Sequence, residues 1–111
     1  MGKLEEKVTQ YAGELEKMGV AVDHDLLMKV TKGCGPSIYN KDAEKVSSSD
    51  KAEMETVKKN FLMTKMGQTD SEKCDAAMQR CVDKFGSSNP NKYRAAFYYM
   101  LVKDLGLESK Y

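Results

Sequence analysis

One histidine, His24, and three cysteines, Cys34, Cys74 and Cys81, are the side chains from which a nucleophilic centre would have to be built. A Ser-His-Asp or Cys-His arrangement must use His24, yet it stands between Asp23 and Asp25 where the first turn of a helix is expected. A solvated helix start is its simpler role. Cys34 lies between Gly33 and Gly35, and glycine on both sides would let a substrate approach the sulfur. It also follows a predicted helix C-terminus, whose partial negative charge disfavours a thiolate. Cys34 is therefore the candidate reactive thiol, for redox or nucleophilic chemistry. Cys74 and Cys81 fall on one predicted helix, roughly 10 Å apart along its axis, which is outside disulfide range. They read as small core hydrophobes.

Other chemistries find less to work with. Zinc needs about four converging Cys, His or carboxylate ligands, commonly with Cys-x-x-Cys or paired histidines, and neither pattern occurs. Gly33-Cys34-Gly35-Pro36-Ser37 departs from the phosphate-binding loop, because its glycines close a helix and no strand precedes them. No catalytic residue, metal or cofactor is expected, and the chain is read as non-enzymatic. Lys84, Lys92 and Arg94, close in sequence around a predicted helix start, are candidate anion contacts. A solvated rim is the plainer reading of the same charges. Among eight methionines, Met28 and Met63 lie off the main apolar stripes and are candidates for an adaptable partner surface.

Composition sets the class. With 111 residues, 41% hydrophobic and 32% charged, the chain suits one globular core. The net charge of +1 comes from 18 Lys and Arg against 17 Asp and Glu, so no global field draws the protein to a polyanion. Arg80 and Arg94 are the arginines, and reading guanine or clamping phosphate favours Arg over Lys. A nucleic-acid partner is disfavoured. No apolar run approaches the ~20 residues of a membrane span, the N-terminus lacks the apolar stretch of a signal peptide, and Glu6 breaks the myristoylation pattern after Gly2. A cytoplasmic location follows as the expectation, in keeping with an odd cysteine count.

The elements that must position these groups are helices. Leu4, Val8, Tyr11, Leu15 and Met18 line one face of a first helix over about 3–18, stopped at Gly19. Asp23 caps a second over about 24–32, with Val22 and Leu27 spaced as a hydrophobic staple. Gly33, Gly35 and Pro36 end it, and an irregular loop runs to Ser49, pinned by Ile38, Tyr39 and Val46. A third helix is expected over about 50–66, with Met54, Val57, Phe61 and either Leu62 or Lys65 on its stripe. A fourth over about 70–85 opens with a Thr69–Glu72 capping box and carries Cys74, Ala77, Met78, Cys81, Val82 and Phe85 on one stripe. Asn89-Pro90 predicts the start of a fifth over about 90–105. Its run Tyr93 to Val102 is apolar or aromatic almost all round, which marks an enclosed, central helix. The expected fold is an all-α, compact five-helix single domain.

The strings Lys29 to Asn40, Val57 to Leu62 and Asn91 to Tyr99 resemble a family of small bacterial proteins catalogued as domain of unknown function 2853, and the likeness runs along the whole chain. The resemblance implies a bacterial origin, a stand-alone domain and a helical fold. It brings no activity or site residue with it. The residues themselves point first to a helical protein–protein interaction module, for a protein partner or a homo-oligomer, that offers Ser37, Ile38, Tyr39 and Asn40 together with Met28 and Met63. Anion or weak nucleic-acid binding at Lys84, Lys92 and Arg94, and thiol chemistry at Cys34, are the alternatives.

Overall fold

Three aspartates mark where helices begin. Asp23 accepts from the Leu26 amide at 3.2 Å, Asp50 from the Ala52 and Glu53 amides, and Asp70 from the Lys73 amide at 3.1 Å. Each oxygen satisfies an N–H that has no partner within its helix. At the third of these starts Asp70 is the cap, in place of the expected Thr69. The computed structural model describes residues 3–40, 44–46, 50–86 and 92–110. Among them five helices form: α1 (Lys3–Lys17), α2 (His24–Gly33), α3 (Lys51–Thr56, continued as a π-helix over Val57–Lys65), α4 (Ser71–Phe85) and α5 (Arg94–Leu105). Short 3-10 turns occupy Gly35–Tyr39 and Glu108–Lys110. Among the described residues no strand forms, only an isolated antiparallel bridge between Lys45 and Tyr93. The fold is an all-α single domain.

Helix α5 is the hub. Ala95, Ala96, Phe97, Tyr99, Met100, Leu101 and Val102 are all buried, and the helix packs against α1, α2 and α4. Full burial of one large apolar side chain contributes about 1.5–3 kcal/mol, so enclosing this helix supplies much of the folding drive. Tyr99 is buried too, and its hydroxyl is satisfied twice. It accepts from the Asp23 amide at 2.8 Å and donates to the Ala21 carbonyl at 3.1 Å, tying the α1–α2 connection to the hub.

Helix α3 changes character partway. Val57, Phe61 with Leu62, and Met66 are buried while Lys65 is exposed, so the buried positions recur at intervals wider than the ~3.6 residues of an α-turn. The backbone follows. The Met66 amide bonds the Phe61 carbonyl, five residues back, at 2.9 Å. Lys58, also in the π segment, reaches Asp75 of α4 at 3.0 Å.

In the predicted loop after α2, the described residues include a 3-10 turn over Gly35–Tyr39. Ile38 and Val46 are buried at 1% and 5% exposure, whereas Tyr39 stays 49% exposed and does not pin the loop. Ile38 is thus a core residue and not part of a partner surface; the side chain of Ser37 and the stretch Ser47–Ser49 lie outside the described residues. A polar clamp fastens residues 44–46. The buried Glu44 carboxylate accepts from Tyr11 at 2.6 Å and from Lys7 at 2.7 Å, and the Val46 amide donates to the Lys92 carbonyl at 2.8 Å. Pairing with 45–46 holds 92–93 extended, with Tyr93 at φ −63 and ψ 133, so α5 starts at Arg94 and not at the expected 90. Asn89 and Pro90 lie outside the described residues.

No helix among the described residues is long and apolar enough to cross a membrane. The clamp is testable. Replacing Glu44 by Ala leaves the buried Tyr11 hydroxyl without its acceptor and should cost about 2 kcal/mol in urea unfolding. Tyr11→Phe, which removes the donor instead, should cost about 1 kcal/mol or less. An unchanged urea midpoint for Glu44→Ala would show that the clamp is not structural.

Candidate functional site

The π segment gives the clearest pointer to a site, because an i to i+5 helix is rare and is found frequently where function requires it. Its residues Asn60, Phe61 and Lys65 form one wall of a groove of about 340 Å³. The rest of the lining comes from the end of α2, at Gly33 and Cys34, and from the first turns of α5, at Arg94 and Tyr98. Phe61 and Tyr98 stack, with centroids 3.9 Å apart and planes inclined by 13°. That pair gives the groove a flat aromatic side.

Its charge is positive and held in place. Arg94 donates to the Tyr98 hydroxyl at 3.0 Å, four residues along the same helix, and to Glu53 of α3 at 2.7 Å. Burial opposes the guanidinium charge, but the bonds to Tyr98 and Glu53 outweigh it and raise its pKa above the ordinary value. Lys65 donates to the Gly33 carbonyl at 3.3 Å, on the open C-terminal end of α2. A cation there complements the negative end of the helix.

Cys34 faces both cations and still stays protonated. Burial pushes its thiol up to about 11, and the opposing pull of Arg94 and Lys65 is the smaller effect. Burial likewise raises Tyr98, against the pull of Arg94. Near neutral pH the groove therefore presents a neutral thiol, which is a poor nucleophile. His24 does not assist it. The imidazole is exposed at the start of α2 and Cys34 follows its end, so the ten-residue helix separates them by roughly 15 Å.

The predicted anion contacts do not assemble. Lys92 is only 3% exposed, in the extended segment paired with Val46. Arg94 is engaged by Glu53, and Lys84 lines a different groove on α4. Met28 and Met63 are half-buried against the core and do not form an open patch. Tyr39 and Asn40, both candidates for a partner surface, are exposed. Cys74 and Cys81 are buried, and none of the three cysteines forms a disulfide. Among the described residues no group of three or more His, Cys, Asp or Glu is placed to hold a metal.

Sequence reasoning found Cys34 and Arg94 but missed Asn60, Phe61, Lys65 and Tyr98. Two signals were present. Arg94 and Tyr98 sit at i and i+4, the spacing of a side-chain pair on one helix face, and the apolar stripe after Phe61 was ambiguous between Leu62 and Lys65. A family model described as "Protein of unknown function (DUF2853)" matches residues 10–109. No curated protein matches the chain.

The state of Cys34 has a direct readout. Alkylation by iodoacetamide should label Cys34 before Cys74 and Cys81, with a rate that climbs about tenfold per pH unit as the thiolate fraction grows and levels off near pH 11. A plateau reached below pH 8 would mean an activated thiol and would contradict the burial argument.

Proposed function

The chain belongs to the DUF2853 family, and we propose that it is a non-enzymatic helical interaction module that takes a segment of a protein partner into the groove between α2, the π-helix and α5. The observation that carries this reading is the nine-residue π segment, which brings Asn60, Phe61 and Lys65 into one groove with Cys34, Arg94 and Tyr98. Helices rarely adopt the wide turn in long runs, and where they do it frequently serves a site.

The groove's chemistry indicates the segment it suits. With Arg94 held by Glu53, it is the exposed Lys65 that favours an acidic side chain or a chain-terminal carboxylate, while the Phe61–Tyr98 pair favours an apolar or aromatic neighbour of that carboxylate. The neutral Cys34 thiol contributes a soft, apolar contact. Tyr39, half exposed, ends the 3-10 turn that begins directly after Cys34, and five residues of such a turn span roughly 10 Å. It extends the contact surface along the same edge. The cytoplasmic location and bacterial source expected from the sequence go with this proposal.

Site-specific photocrosslinking in the native cell tests it. A benzophenone side chain at Asn60 should trap one protein, and a second change, Lys65→Glu, should abolish the adduct; the same probe at Glu16, exposed on α1, should trap nothing comparable. Equal trapping from both positions, or an Asn60 adduct indifferent to Lys65→Glu, would overturn the reading.

A further inference from the structure

A second groove, remote in composition from the first, lies between α4 and α5 and encloses about 340 Å³, at the lower end of the range for small-molecule sites. Its floor is apolar and sulfur-rich: Val20 from the α1–α2 connection, Cys81 from α4 and Met100 from α5. Burial first, then the nearby Asp104, push the Cys81 thiol up to about 12, so it is neutral and behaves as part of an apolar surface.

The rim is cationic beyond what its own carboxylate neutralises. Arg80 forks onto Asp104, its Nε lying 3.1 Å from each oxygen, and this pair joins α4 to α5. Two further rim cations remain. Lys103 stands 3.9 Å from Glu108, both nearly half exposed, a separation and exposure at which an ion pair contributes little. Lys84 makes no ion pair among the described residues. An apolar floor beneath two weakly neutralised lysines is complementary to a molecule with an apolar body and one negative end.

We propose that this groove binds a small amphipathic anion, a carboxylate on an apolar chain of medium length, with the chain on Val20, Cys81 and Met100 and the carboxylate at Lys84 and Lys103. A partner helix is the poorer occupant: it is about 10 Å across, and the Arg80–Asp104 pair spans the two helices that flank the groove. The site shares no lining residue with the Cys34 groove, so the two proposals stand or fall separately.

Methyl-detected NMR titration of the full chain with octanoate tests the assignment, with octylammonium and 1-octanol as the cationic and neutral counterparts. Octanoate should shift the Val20 and Met100 methyls in a saturable manner, octanol should bind more weakly, and octylammonium should not bind. The double variant Lys84→Glu with Lys103→Glu alters exposed side chains only, should keep the wild-type spectrum elsewhere, and should weaken octanoate by about tenfold. Equal binding of octylammonium, shifts centred elsewhere, or unchanged affinity in the double variant would overturn the proposal. So would an acidic amphipathic helical peptide that shifts the same methyls when octanoate does not.

Discussion

Helix α5 has too little polar surface to face water, and this single constraint organises the molecule. A helix that is apolar nearly all round must be surrounded, so α1, α2 and α4 are drawn against it and α3 closes the remaining side through the Phe61–Tyr98 stack. The candidate groove is a by-product of the same arrangement. Arg94 and Tyr98 occupy the two positions near the start of α5 that are only partly covered, and the π segment meets them there.

Much of the helical framework is legible in the residues. Asp23 marks the start of α2 as expected and the Thr69–Glu72 run marks α4 to within one residue, the glycines at 19, 67, 86 and 106 adopt the positive φ that stops a helix, and the aromatic run identifies the hub. What escapes is whatever depends on distant partners. The start of α5 moves to Arg94 because the backbone of 92–93 is engaged by 45–46, a pairing across nearly half the chain that no local signal encodes. The π segment escapes for a related reason. Its residues have ordinary helix propensities, and only the need to bury Phe61, Leu62 and Met66 together widens the turn.

The candidate site was legible in part for the same physical reasons. Cys34 stood out because glycines flank it, and glycine is visible in a sequence; Arg94 stood out as a cation near a helix start. Their common groove depends on how α2, α3 and α5 are packed, which no spacing within one segment specifies. Lys92 and Ile38 illustrate the converse. Each is plausible at a surface by residue type or loop setting, yet Lys92 is buried beside Val46, whose amide bonds its carbonyl, and Ile38 is buried in the core.

The double engagement of the Tyr99 hydroxyl has a reach beyond its own contacts. By gripping one donor and one acceptor of the α1–α2 connection, the phenol fixes the azimuth of α5 about its own axis, something greasy packing alone does loosely. Arg94 and Tyr98 ride on that same rod, with their bearing set by a lock at the far end of α2 from Cys34. The contacts that hold the rod's heading are thus made by Tyr99 and not by the residues that line the groove.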